Sequence, residues 1–385
     1  MLGLVSLLMD TSSELIYSLL PVFLVTVMGA SAFMVGLIEG VAEATAAMGK
    51  GFSGVLSDWL GRRKLLAAAG YGLSALTKPM FPLAGTAAQL FAARFLDRIG
   101  KGLRDSPRDA LIADITPPEH AGAAYGIRQA LDSTGAFAGP LLAMVLMVLY
   151  ANNFRAVFWW AVLPAALSVA LIVFGVQDSQ RVASVEPKAR SSFDAAAFVR
   201  LPARSWVAIG TCLIYTLARF SEAFLVLKAQ SAGLALALLP LVYVWMSLIY
   251  ALIATPAGIL SDRIGRPKVL LAGIGILLIA DLTLAFAPGL AGVWLGVGLW
   301  GAYLGLTQGL LSALIADTAP TDQRGTAFGF MNVVTGLGLL MASLGAGWLW
   351  GVYGPSATFE AGAIFAAIAA ASMAWRINWR AKPGP

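Results

Sequence analysis

The chain has 385 residues, of which 59% are hydrophobic and only 12% charged, with a mean hydropathy of +0.81. A water-facing surface needs about a quarter of its residues charged, so this composition excludes an ordinary soluble domain. One cysteine, Cys212, excludes an intrachain disulfide, and one histidine, His120, argues against a histidine metal cage or a Ser-His-Asp triad.

Apolar stretches of about 20 residues, each able to cross roughly 30 Å of hydrocarbon, follow one another with little interruption. The expected class is an all-α polytopic membrane protein with twelve transmembrane helices, at 2–28, 33–56, 65–85, 87–112, 122–150, 155–176, 205–230, 234–260, 267–287, 291–316, 325–352 and 357–376. Solid apolar runs, not alternating segments of about ten residues, argue against a membrane barrel.

In span 1, Asp10, Glu14, Tyr17 and Pro21 share one face. "ASA" at 30–32 imitates a signal-cleavage site, but the start lacks a basic region and Asp10 and Glu14 interrupt the apolar core, so a retained helix is expected. Span 2 carries Glu39 and Glu43 one turn apart, with Lys50 on the same side. Arg62, Arg63 and Lys64 follow in a short loop.

Span 4 and its continuation hold "RFLDRIGKGLRDSPRDALIAD" at 94–114, nine charges in twenty-one residues. At 100° per residue, Arg94, Arg98, Lys101, Asp105 and Arg108 fall within roughly 80° of arc, and Asp97, Arg104 and Asp109 widen it to about 140°. A charge facing lipid at mid-membrane costs at least about 3 kcal/mol, so this stripe must face protein or water. Pro107 is expected to bend the cytoplasmic end. On span 5, Arg128 and Asp132 are one turn apart. With Asp114 the first half supplies nine such acids, and Lys50, Lys78 and Arg128 bring the bases to eight. The near balance predicts internal ion pairs.

A polar linker over 177–204 separates two six-helix bundles, 1–176 and 205–385. Span 7 reads "LARFSEAFLVLKA", with Arg219 and Glu222, and Gln308 and Asn332 are neutral polar candidates further on. Clusters of Lys and Arg fall between spans 2 and 3, 6 and 7, 8 and 9, and after span 12, which places both termini in the cytoplasm. The formal charge of +6 is therefore a topology signal and not a nucleic-acid-binding surface.

The chain is written twice. "GVLSDWLGRRKLL" at 54–66 returns as "GILSDRIGRPKVL" at 258–270, and "ALIADITPPEHAGAAYG" at 110–126 returns as "ALIADTAPTDQRGTAFG" at 313–329. Two matches at nearly one offset indicate a duplicated six-helix unit, the halves being parallel repeats with substrate expected between them near the midplane. The charges are not duplicated: Asp97 becomes Trp300, Arg98 becomes Gly301, Arg108 becomes Leu311 and Arg128 becomes Met331. The fold does not need them.

These motifs resemble those of the major facilitator superfamily. "GVLSDWLGRRK" is similar to its G-x-L-x-D-x-x-G-R-R/K loop signature, "RIGKG" at 98–102 to its helix-4 R-x-x-x-G motif, and "GAFAGP" at 135–140 to the helix-5 G-x-x-x-G-P motif found mainly in antiporters. The family's usual Arg is Ala121 in the first half and Arg324 in the second. The resemblance implies gating by Gly54, Asp58, Gly61, Arg62, Arg63, Asp262, Gly265 and Arg266, whose bonds form when the cytoplasmic side closes.

The expectation is a secondary active carrier of a small solute, working by alternating access in a bacterial cytoplasmic membrane. Proton-coupled efflux leads; carriage of an organic anion or metal chelate by the Arg-rich helix 4 is the alternative. Candidate residues for substrate or proton contact are Asp10, Glu14, Tyr17, Glu39, Glu43, Arg94, Asp97, Arg98, Lys101, Arg104, Arg108, Arg128, Asp132, Arg219 and Glu222. No cofactor, metal or enzyme activity is expected, and the family resemblance implies a monomer.

Overall fold

The computed structural model describes residues 1–60, 62–117, 120–176, 201–319 and 324–380. All regular structure among them is helical and forms twelve rods. They are α1 (Leu2–Tyr17 and Leu20–Thr26), α2 (Ala32–Leu60), α3 (Arg63–Thr77 and Met80–Leu83), α4 (Ala87–Ile115), α5 (Ala121–Leu149) and α6 (Phe154–Trp160, Val162–Ala170 and a π turn, Leu171–Gly175). The second half gives α7 (Ala203–Leu217 and Ala223–Ser231), α8 (Leu241–Ile264), α9 (Arg266–Phe286), α10 (Gly289–Thr318), α11 (Arg324–Tyr353) and α12 (Pro355–Arg380). Gly61, residues 177–200 of the linker, and the side chains of Asp58 and Arg324 lie outside the described residues.

Nine of these helices are long and apolar enough to cross a membrane. The other three are α3, α4 and α7. Charge disqualifies α4, and the apolar piece of α7, Ser205–Leu217, is short. Spans 1, 3 and 7, expected to be continuous, each contain a break. In α1 it falls at Ser18 and Leu19, and Pro21 is the second residue of the second piece, where its missing N–H belongs to an unpaired first turn anyway. In α7 five residues, 218–222, separate the pieces; Ser343 of α11 stitches the gap by accepting from the Ser221 backbone N–H at 3.1 Å. Pro107, by contrast, lies inside an unbroken α4.

The outer part of α1 (Leu15, Leu19 to Leu24), the end of α5 (Ala143, Leu146, Met147) and the outer part of α7 (Phe224 to Leu227, Ala229) belong to one core that joins both halves of the chain. Toward the cytoplasmic ends there are two separate cores: Leu2, Val5, Met9, Tyr71 and Leu111 in the first half, and Leu201, Ile209, Cys212 and Ile315 in the second.

The cytoplasmic loops repeat one contact. Arg63 pairs with Asp114 at 2.5 Å and donates to the Ala110 carbonyl at 3.0 Å. Arg266 pairs with Asp317 and donates to the Ala313 carbonyl at 3.1 Å. Every residue of this contact recurs 203 positions later. Arg62, Asp262 and Gly265 are exposed, and Asp262 makes no ion pair among the described residues.

Candidate functional site

Glycines decide how closely α4 can sit against its neighbours. A Cβ on Gly100 would lie 2.8 Å from the Gly70 carbonyl of α3, and one on Gly102 would lie 2.8 Å from the Gly49 Cα of α2. The two glycines of "RIGKG" therefore let backbones touch, with Arg98 just before them and Lys101 between them. On the other side Gly139 does the same for α5 and α1: an added Cβ would meet the Thr11 carbonyl at 2.8 Å and the Leu15 nitrogen at 2.9 Å. This is the close packing expected of the helix-5 motif, and it sets Glu14 and Tyr17 facing α4.

The tightly held helices create a layered ion network. Arg94 reaches Glu39 at 2.5 Å and Arg98 reaches Glu43 at 2.8 Å. Beneath them Lys78 pairs with Asp97 at 2.8 Å and donates to Ser13 Oγ at 2.8 Å, while the Tyr17 hydroxyl donates to the other oxygen of Asp97. Arg104 donates to Ser74 Oγ at 2.8 Å and approaches Asp10 at 3.4 Å. Nearer the cytoplasm Arg108 bonds Ser6 and Asp109, and Arg128 pairs with Asp132 at 2.8 Å. A buried charge is tolerated only when paired and hydrogen-bonded, and the near balance of acids and bases meets that condition.

A cavity of about 250 Å³ lies above this network, where both halves meet. Glu14, Tyr17, Glu39, Glu43, Arg94, Arg98 and Lys101 line it from the first half; Arg219 to Glu222, Tyr243, Gln308 and Leu339 line it from the second. Four acids therefore face four bases. Two of each are occupied by the Arg94–Glu39 and Arg98–Glu43 pairs. Glu14, Lys101, Arg219 and Glu222 have no ion pair or hydrogen-bonded side-chain partner among the described residues. Two of the broken helices reach this cavity, with Tyr17 at the break of α1 and Arg219 to Glu222 at the break of α7. Discontinuous helices at matching places in two repeats mark the binding region of many carriers.

Of the fifteen residues expected to contact substrate or protons, nine line the cavity. Asp10, Asp97, Arg104, Arg108, Arg128 and Asp132 do not. The helical arc put Arg104 and Arg108 on one stripe with Arg94 and Arg98, but α4 has neighbours on two sides, and these two arginines turn toward Ser74 of α3 and Ser6 of α1. Arg219 and Glu222 were natural partners at a spacing of three, yet the α7 break puts them off any common helix and they do not pair.

Sequence reasoning missed Tyr243 and the α7 break, which carries neither Gly nor Pro. It also missed Asp281 of α9, which is 0% exposed with both carboxyl oxygens lacking a hydrogen-bond partner. Among the described residues no group of three or more His, Cys, Asp or Glu is placed to hold a metal ion.

The chain matches the Major Facilitator Superfamily model twice, over residues 2–240 and 207–385. An uncharacterized MFS-type transporter of Methanocaldococcus jannaschii is 31% identical over 380 residues, covering 96% of this chain and 92% of that relative. The crystal structure of the nucleoside transporter NupG superposes with a TM-score of 0.79 at 12% identity, covering 97% of each chain. The crystal structure of a D-xylose–proton symporter superposes with a TM-score of 0.75 at 17% identity, covering 97% of this chain and 95% of the other. These two establish the fold alone. A duplicated helical fold, a charged cavity between its halves and a family match over both repeats agree: the chain belongs to the major facilitator superfamily, a multi-pass membrane transporter and not an enzyme.

Proposed function

We propose that this transporter moves a small polar solute out of the cell in exchange for protons, and that bundles 1–176 and 205–385 rock about the cavity to expose it to each side in turn. One observation carries the reading: two acids and two bases, Glu14, Glu222, Lys101 and Arg219, face a shared cavity and form no ion pair or side-chain hydrogen bond among the described residues. Charges left unpaired in a poorly hydrated space await a ligand or change their protonation. The cavity's equal numbers of acids and bases favour a solute with groups of both signs, or a neutral one, over a simple anion. Arg94 and Arg98, the basis for the organic-anion alternative, are already held by Glu39 and Glu43.

A core shared by both halves through the outer parts of α1, α5 and α7, beside smaller cores confined to one half each, supports a state from which solute enters from the cytoplasm. The G-x-x-x-G-P motif of α5 supports export. A bacterial cytoplasmic membrane and a monomer fit this reading.

The test is a thermal-shift screen of purified protein against a library of zwitterionic, anionic, cationic and neutral metabolites. Hits are then followed as radiolabelled solutes in proteoliposomes with an imposed pH gradient. Accumulation driven by a gradient acid on the side opposite the label, and lost when the gradient is collapsed, is the expected result. Uptake that ignores the gradient would sink the proton coupling, and accumulation toward the alkaline side would reverse the direction.

A further inference from the structure

Asp281 is the one buried acid among the described residues with neither carboxyl oxygen in a hydrogen bond. Its place in the repeat makes it unusual. The offset of 203 that relates the Arg63 and Arg266 contacts also relates Lys78 to Asp281, Asp97 to Trp300 and Tyr17 to Phe220. In the first half those three positions form a satisfied cluster, with Lys78 on Asp97 and Ser13 and with Tyr17 on Asp97. In the second half the same three places hold an acid without a cation, an indole whose Nε1 is also without a partner, and a phenylalanine. The positions repeat and the partners do not.

The surroundings of Asp281 come from four helices. Its Oδ2 lies against Gly362 of α12, where an added Cβ would sit 2.6 Å away. Phe220 Cε1 borders the same spot at 3.1 Å, and the Phe220 ring packs on Trp300 at 5.2 Å between centroids. Tyr303, on α10 beside Trp300, is the titratable neighbour, and Arg219 of α7 is the nearest cation along the chain to the Phe220 lid; no ion pair joins either to Asp281. A carboxylate here would lose its hydration and gain neither donor nor cation, whereas the neutral acid suits the site. A structural role gives no reason for an acid where leucine would pack. Phe220 also lines the transport cavity, and it sits in the α7 break, so one ring at a hinge-like segment stands between Asp281 and the solute space.

We propose that Asp281 is a proton-binding site of the second half: it holds a proton while Phe220 covers it and releases that proton to cavity water, leaving a carboxylate, when the broken segment of α7 moves. The inference rests on the proton-coupled reading above and names the group that carries the coupling. The free acids of the cavity, Glu14 and Glu222, then serve the solute.

The test uses the full chain in liposomes, with Cys212→Ser and Gln308→Cys to place a single thiol in the cavity. Its labelling by N-ethylmaleimide, normalised to the denatured protein at each pH, reports the opening of the cavity. One proton linked to the conformational equilibrium allows a change of up to about tenfold per pH unit. That dependence should be present in the parent, absent in Asp281→Asn, and retained in Asp281→Glu. The same pH dependence in Asp281→Asn overturns the assignment while leaving proton coupling intact. A parent that does not respond to pH overturns both. A response to sodium at constant pH, lost in Asp281→Asn, overturns the proton as the ligand. An infrared difference spectrum between parent and Asp281→Asn gives an independent measure, in which a missing protonated-carboxyl band at neutral pH also overturns the proposal.

Discussion

The Arg94 guanidinium lies over the Tyr17 ring, with Cζ 3.5 Å from the ring centroid. Arg98 shares the ring at 4.7 Å, and the hydroxyl of the same tyrosine donates to Asp97. Tyr17 therefore joins the cavity-lining pairs to the Lys78–Asp97 pair beneath them. A desolvated cation over an aromatic face contributes about 2 kcal/mol, and a hydrogen bond to a charged group about 1.5–3 kcal/mol. Tyr17→Phe should lose only the second contribution and Tyr17→Ala both. Chaotrope-induced unfolding of the purified variants checks this; equal losses would remove the stacked ring from the account.

The Lys78–Asp97 pair is almost wholly excluded from solvent, at 0% and 2% side-chain exposure. Removing one partner of such a pair strands the other, at a cost of about 3–5 kcal/mol, while replacing both by apolar groups is often close to neutral. Lys78→Met and Asp97→Leu should each unfold early, and the double variant should recover most of the loss. A double-mutant cycle on thermal unfolding measures it. Additive damage would mean that the two residues act independently.

Cavity groups without partners should behave in the opposite way. Lys101→Ala, Arg219→Ala and Glu222→Gln remove no ion pair or side-chain hydrogen bond made among the described residues, so stability should change by less than about 1 kcal/mol. The thermal shift produced by solutes from the screen should fall at least tenfold in apparent affinity, about 1.4 kcal/mol. Undiminished solute binding in all three would move the binding region elsewhere.

The two cytoplasmic arginines make the same bonds at different exposures. The Arg63–Asp114 pair is 12% and 24% exposed, and the Arg266–Asp317 pair 30% and 58%. Solvent screening reduces an exposed pair to about 0–1 kcal/mol. Arg63→Ala should therefore destabilise more than Arg266→Ala, and its effect should depend less on added salt. Differential scanning of the two variants in low and high salt tests the order.

Gly139 has no room for a side chain. A Cβ would press on backbone atoms of α1, the Thr11 carbonyl and the Leu15 nitrogen, which cannot swing aside as a side chain could. Gly139→Val should lower the thermal midpoint sharply, with loss of about 1–3 kcal/mol or more, whereas Gly126→Val, at a position with open space, should be mild.

Segment length, apolar content and the placement of Lys and Arg were enough to read the helical class, the duplication and the cytoplasmic loops, because the demands of hydrocarbon act on each segment alone. The 94–114 charges also announced themselves, since a single helix cannot expose them to lipid. What a one-dimensional pattern could not supply was the choice of partner. Arg94 and Arg104 occupy the same helix with similar chemistry, yet one turns to Glu39 at the cavity and the other to Ser74 beneath it. The outcome is set by which neighbour the glycines of α4 allow close.

The α7 break was hidden for the same reason: no Gly or Pro marks it, and Ser343, 122 residues away, supplies the bond that lets the helix open. Asp281 escaped notice too, because nothing in the sequence around it shows whether distant helices supply a partner. Sequence, then, determined the layers and where charge must be sheltered, through the local rules of lipid solubility. Tertiary packing alone decided which charges were satisfied and which were left to bind, because only helices brought together from distant positions can provide or withhold a hydrogen-bond partner.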